Sequence, residues 1–225
     1  MAINFYKSIF CDKCDMIKKE EVKEKILRES IKLFLSKGFS GATTNELVRL
    51  AGVSKGALYW HFEDKNDILC HILDRYDNEF IKVLTRKMND CVGDFSDKFK
   101  GFYKFTSEFA RDNRELLLVF TSLLVEFAGT ASDIESRMKE INNQYILIIQ
   151  KLIEDGIKEG TVRKDINALI YSRFLAAALM GSHIQWYLYI SSYADDPSFN
   201  RQHAIIQRNE LLNIFLLKKE SFSPN

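Results

Sequence analysis

The chain has 225 residues, 46% of them apolar, and a net charge of +1, which supplies a packed core and excludes a disordered polyelectrolyte. Its prolines are only Pro197 and Pro224, so nothing breaks a helix between residues 16 and 196, and long apolar periodicities without strand-like alternation make the chain all-α. The charge is uneven: residues 1–66 carry a net +3 and residues 67–225 a net −2, which suits an N-terminal part facing nucleic acid and a larger part that does not.

Residues 1–16 show no periodicity and read as a flexible arm, with Met16 as a plausible alternative start. The arm holds no apolar signal-peptide core. With Cys11, Cys14, Cys70 and Cys91 unlike a disulfide framework, a reducing cytoplasm is the expected home. A first helix is expected from about Val22 to Lys37, ended by Gly38 in a left-handed conformation. Thr43 and Glu46 form a capping box for a short second helix that ends near Ala51-Gly52. Ser54 caps a third, Lys55 to about Phe62, and Asp64 and Asp67 bracket the start of a fourth. Two short helices around a glycine turn, braced by a longer helix in front, follow the helix-turn-helix plan.

Beyond residue 90 the helices lengthen. Asp94 or Ser96 starts one whose Phe99, Phe102, Phe105 and Phe109 share a face. The next runs from about Arg114 to Ala128. Ile134 to Leu152 then repeat at steps of four and three, with Gly156 and Gly160 loosening the end. Asp165 is expected to cap a nearly all-apolar helix to about Ile190. Asp195-Asp196-Pro197 reads as a loop, and a last helix is expected from about Arg201 to Leu217. The uncharged run Phe174–Ile190, roughly 17 residues, lies at the lower limit for a membrane span and carries Ser182, His183 and Gln185; it reads as a buried helix, with no membrane association.

Gly41-Ala-Thr-Thr-Asn-Glu-Leu and Ala51-Gly-Val-Ser-Lys-Gly-Ala-Leu-Tyr-Trp-His-Phe-Glu-Asp-Lys65 closely resemble the DNA-binding domain of the TetR family of bacterial repressors. The resemblance spans about 50 residues, Ile26 to Leu73; beyond it the chain matches only in helical layout and length. It implies about nine helices: a helix-turn-helix domain over 17–66 and a ligand-binding and dimerisation domain over 67–225. The expected partners are double-stranded operator DNA, a small-molecule effector and a second copy joined through the last two helices.

The residue chemistry points the same way. A recognition helix enters the major groove by its N-terminal end, where Gly56 and Ala57 keep it slim and Lys55 reaches a guanine edge or a phosphate. Tyr59, Trp60 and His61 follow one turn later. Trp60 either contacts DNA or packs on the first helix, and Thr43 either contacts DNA or only caps. The resemblance implies phosphate contacts for Thr44, Tyr59, His61 and Lys65 and base reading for Asn45.

For the effector, Phe102, Phe105, Phe109, Phe120, Leu124, Phe127, Phe174 and Trp186 are candidates to line an apolar pocket, each also acceptable as plain core. Fatty acyl, aromatic and drug-like ligands all fit. Glu108 and Glu126 either balance a cationic ligand or sit on solvated faces. The small residues Ala176, Ala177, Ala178, Gly181 and Ser182, with apolar Ile205, Leu211, Leu212, Phe215 and Leu216, suit helix pairing between copies.

No catalytic constellation is expected. Cys11-Asp-Lys-Cys14 has redox or zinc spacing but no second pair. His71, His183 and His203 lie far apart, and no phosphate loop or Gly-x-Ser-x-Gly elbow occurs. No enzyme activity, cofactor or metal is therefore read from the sequence. The alternative is an interaction adaptor that keeps the fold without binding DNA, which an intact Lys55, Tyr59, His61 and Lys65 count against.

Overall fold

The computed structural model describes residues 2–193 and 197–216. Among these, ten α-helical segments and one π-helical turn occur, with no strand beyond an isolated bridge between Val162 and Leu216. They are α1 (Ala2–Gly41), α2 (Thr44–Ala51), α3 (Lys55–His61), α4 (Lys65–Tyr76), a π turn (Asp77–Ile81), α5 (Lys82–Asp90), α6 (Phe95–Asp112), α7 (Arg114–Phe127), α8 (Asp133–Lys158), α9 (Ala168–Tyr193) and α10 (Pro197–Asn213). Taken with the π turn as one helix, α4 and α5 bring the count to nine.

The chain divides into two compact units. One comprises residues up to 76 together with 115–135, and so holds α1–α4 and almost all of α7. The other comprises 77–114 and 136 onward.

In the first unit, Ile26, Phe34, Leu47, Leu58, Phe62, Ile68 and Leu69 are buried to within a few per cent, the apolar faces of four helices turned on one core. Helix α1 starts at Ala2, so the stretch read as a flexible arm is helical; it contains no proline or glycine to stop a helix. Gly38 interrupts α1 with φ 73°, the positive φ expected of it. Gly52, φ 59° and ψ 38°, ends α2 in the left-handed helical conformation, whereas Gly38 combines its positive φ with ψ 167°. Asp64 accepts the Asp67 amide at 2.8 Å while Asp67 accepts the Glu63 amide at 2.9 Å, so the two acids cap α4 reciprocally.

The second unit is built on aromatic packing. Phe80 contacts Phe105, Phe109 and Tyr145 at 5.9, 4.7 and 5.4 Å between ring centroids. Phe215 packs against Phe95 and Phe99 at 5.6 and 6.0 Å. Three further features differ from the sequence reading. Asn167 caps α9 by accepting the Ile170 amide at 3.1 Å, whereas Asp165 pairs with Arg163 at 3.2 Å. Pro197 opens α10 and does not belong to a loop, because proline fits a first helical turn, where its missing N–H has no partner to lose. Gly156 lies within α8 and does not loosen it; a Cβ there would stand 2.5 Å from Val162 Cγ2 and 2.8 Å from Phe95, so the glycine allows close packing.

Candidate functional site

Helix α3 is short and owes its geometry to its cap: Ser54 Oγ accepts the Ala57 amide at 3.0 Å. Leu58 faces the core, completely buried, leaving Lys55, Gly56, Tyr59 and Trp60 on the exposed side. Tyr59 and Trp60 are 46% and 62% exposed, an unusual display of large rings on a seven-residue helix. Lys55 lies 5.9 Å over the Tyr59 ring. A Cβ at Gly56 would meet nothing nearer than Ser54 Oγ at 3.9 Å. The fold therefore makes no demand for glycine at this position.

Helix α2 presents Thr43, Thr44 and Asn45 at its N-terminal end. The Thr43 hydroxyl accepts the Glu46 amide and the Glu46 carboxylate accepts the Thr43 amide, both at 3.3 Å, so the Thr43 side chain caps the helix. Lys37 and the Thr43 hydroxyl hold the Glu46 carboxyl below its ordinary range. Thr43 and Asn45 are exposed, Thr44 partly so.

His61 lies edge-on to Trp60, 4.6 Å between centroids. Burial first, then the charges of Lys23 and Lys19, push its imidazole below the usual value, against Glu20. Lys19 stands 4.8 Å over Trp60 and Lys23 5.9 Å over Phe62. These two α1 lysines thus lie beside the rings of α3 and its C-cap, and the helix-turn-helix motif does not single them out. Their i, i+4 spacing, which puts both on one helix face, was the available signal.

Lys65 has a different immediate role from the one its position implies. Its ammonium donates to the carbonyls of Phe39 at 2.7 Å and Ala42 at 2.9 Å and lies 4.3 Å over the Phe39 ring. The same turn is held from the other side by Glu126, which accepts the amides of Phe39 and Ser40, both at 2.8 Å, and the Ser40 hydroxyl at 2.7 Å. Burial works to raise the Glu126 carboxyl, but the Ser40 hydroxyl, the two amides and the Lys65 charge outweigh it and hold the pKa down. Glu126 is thus neither a ligand's counter-ion nor a solvated face residue: it clamps the turn between α1 and α2.

In the second unit a cavity of about 870 Å³ lies between α6, α9 and α10. Of the eight expected pocket residues, only Trp186 lines it. Phe102 and Phe109 are buried, and with Phe105 they belong to the ring cluster around Phe80 and Tyr145. Phe174 is 51% exposed. Phe120, stacked on Tyr76 at 3.9 Å, and Phe127, 5.4 Å from Phe39, pack in the first unit, to which Leu124 also belongs. On the cavity wall the Tyr103 hydroxyl donates to Gln207 at 2.8 Å, and the Gln207 amide donates to the Ser182 hydroxyl. His183 also lines it, and burial pushes this imidazole down to about 4.

Among the described residues no group of histidine, cysteine and acidic side chains is placed to hold a metal ion, and no helix is long and apolar enough to cross a membrane. The side chains of Cys11 and Cys14 lie outside the described residues.

Residues 26–72 match the family model described as bacterial regulatory proteins, tetR family, and residues 74–193 match the C-terminal region of YsiA-like proteins. The chain is 27% identical to the HTH-type transcriptional repressor BepR of Brucella suis biovar 1 over 170 residues, 74% of this chain and 80% of BepR. It is 28% identical to the HTH-type transcriptional regulator QacR of Staphylococcus aureus over 198 residues, 87% of this chain and 96% of QacR. The crystal structure of the MbdR regulator from Azoarcus sp. CIB superposes with a TM-score of 0.75 at 24% identity, covering 85% of this chain and 97% of that one.

Proposed function

The chain belongs to the TetR family of bacterial regulatory proteins, and from that membership we propose that it is a repressor: a homodimer that binds a palindromic operator through α3 and leaves it when a small amphipathic molecule binds. The observation that carries this reading is the exposed face of α3. Lysine, glycine and two large polar-tipped rings lie side by side on a capped helix, and its glycine answers to no internal contact. Such a face costs the free protein exposed ring surface and gains only when the helix seats in a groove. Lys19, Lys23 and Lys55 supply charge for the phosphates around it.

Dimerisation is assigned to α9 and α10. Ile170, Phe174, Ala177, Gly181 and Leu188 are all exposed and recur at steps of four, three, four and seven, one stripe along α9. Ile206 of α10 is 60% exposed. Small residues in the middle of an apolar stripe suit close helix approach between copies. Two recognition helices related by a dyad then read two half-sites about one helical turn apart. Effector and operator compete through a shared equilibrium, so each must weaken the other's binding by one common factor.

The deciding experiment is selection of binding sites from random double-stranded DNA with the purified full-length protein, followed by anisotropy titrations on the enriched sequence. The expected result is an enriched palindrome whose affinity falls with added salt and falls again in Tyr59→Ala. A protein that kept the fold only as an interaction adaptor would enrich nothing, and that outcome would overturn the repressor reading.

A further inference from the structure

Charge around the second-unit cavity is one-sided. Its wall carries Lys100, Lys104, Arg111, Arg201 and Arg208 against a single carboxylate, Glu108. Three of the five cations already have an acid on their own helix: Lys100 has Asp97 at 3.6 Å, Lys104 has Glu108 at 3.9 Å, and Arg111 has Asp112 at 2.8 Å. Arg201 and Arg208 have no carboxylate partner among the described residues, and Arg208 spends its guanidinium on the neutral amide of Asn209, at 3.0 and 3.3 Å. Both uncompensated charges therefore come from α10.

The polar groups beside them offer donors. Tyr103 gives its proton to Gln207, and Gln207 gives one to Ser182. The chain ends on a hydroxyl that accepts, so the Ser182 O–H remains for the cavity. Trp186, Ala110 and Ala204 form apolar wall. A cationic guest would meet five like charges and one acid that Lys104 already attends. A neutral apolar guest would leave the two guanidiniums beside it without a counter-charge. A volume of about 870 Å³ is in the range of sites for drug-sized molecules.

We propose that this cavity binds an amphiphile with an oxyanion head, a carboxylate or a phosphate, with Arg201 and Arg208 holding the head and Trp186, Ala110 and Ala204 against its apolar part. The proposal deepens the effector-responsive reading above and rests on it for biological meaning, though the binding itself is measured without DNA. Planar guanidiniums match either oxyanion in two-point geometry.

The test is calorimetric titration of the full chain, below each probe's micelle threshold, with four molecules that share a dodecyl tail. These are dodecanoate, dodecyl phosphate, dodecanol and dodecyltrimethylammonium. The expected result is that the two anions bind about tenfold or more tighter than the alcohol and the cation, and the tighter of the two identifies the head. Arg201→Gln with Arg208→Gln should erase that preference while dodecanol binding stays put. Arg201→Lys with Arg208→Lys, which keeps both charges, should retain most of it and guards against a folding artefact. Equal affinity for all four probes, no binding of any, or an anion preference that survives the double glutamine variant would each overturn the proposal. Failure of the operator selection would instead defeat the repressor reading and leave the head-group preference standing.

Discussion

Replacing Lys65 separates two roles that its position combines. The ammonium donates to Phe39 O at 2.7 Å and Ala42 O at 2.9 Å, and a lysine has three N–H donors, so one remains for a DNA phosphate. Hydrogen bonds from a charged donor contribute roughly 1.5–3 kcal/mol each, but these carbonyls are only partly buried and water replaces part of the loss. Lys65→Ala should therefore destabilise the protein by about 2 kcal/mol. Lys65→Met keeps a stem over the Phe39 ring, now 4.3 Å beneath the ammonium, and isolates the charge from the packing. Urea unfolding followed by circular dichroism reads the stability. Anisotropy on the selected DNA at several salt concentrations reads the phosphate contact, as a fall of about 0.9 per subunit in the slope of log affinity against log salt. Because Glu126 holds the amides of the same turn, Lys65→Met and Glu126→Gln should be non-additive by about 0.5 kcal/mol or more. An unfolding midpoint unchanged in both Lys65 variants would refute the clamp, whatever happened to the salt slope.

Three further outcomes follow from the same geometry. Gly56→Ala meets only Ser54 Oγ at 3.9 Å, so thermal melts should show stability unchanged or raised by up to about 1 kcal/mol while operator affinity drops about tenfold or more; undiminished affinity would mean that the groove does not approach this backbone. Gly156→Ala forces a methyl to 2.5 Å from Val162 and 2.8 Å from Phe95, and should cost about 2 kcal/mol in urea unfolding, a wild-type midpoint arguing that the α8 end has room to shift. Burial lowers His183 from 6.5 to about 4, so protons favour the unfolded chain: stability is complete above pH 6.5 and is lost as pH falls toward 4, by about 2 kcal/mol after allowing for partial exposure. The difference between wild type and His183→Gln should slope across that window, and a flat difference would show that solvent reaches the ring.

What could be read in advance was local. The Thr43–Glu46 box, the Ser54 cap and the turns at Gly38 and Gly52 each depend on residues within four positions of one another, and each stands as expected. Helix starts went astray where two neighbours were equally able to cap. Asp165 and Asn167 are both able to accept an amide; Asn167 caps the helix, and Asp165 pairs with Arg163. The partnership of Glu126 with the α1–α2 turn joins positions 86 and 87 apart. Within its own helix that glutamate is one acid among leucines, with nothing nearby to distinguish a clamp from a solvated side chain. Lys65 shows the same limit: the motif gives its place at the start of α4, while its two carbonyls belong to residues 23 and 26 positions earlier.

The aromatic residues carry a more general lesson. On the sequence alone Phe102, Phe105 and Phe109 are candidates for pocket lining and equally acceptable as plain core. In the second unit the rings of Phe80, Phe105, Phe109 and Tyr145 instead approach within 4.7 to 6.3 Å, centroid to centroid, and rings at that spacing leave no ligand-sized gap between them. Apolar side chains on facing helices close on each other because burial rewards it, at about 25 cal/mol per Å². The cavity lies where closure is opposed, along surfaces bearing Lys100, Lys104, Arg111, Arg201 and Arg208, whose charges lose hydration if the helices come together. A guest in that cavity would meet walls with five cations and one carboxylate, so one that brings a negative charge is expected to bind more tightly than its neutral analogue.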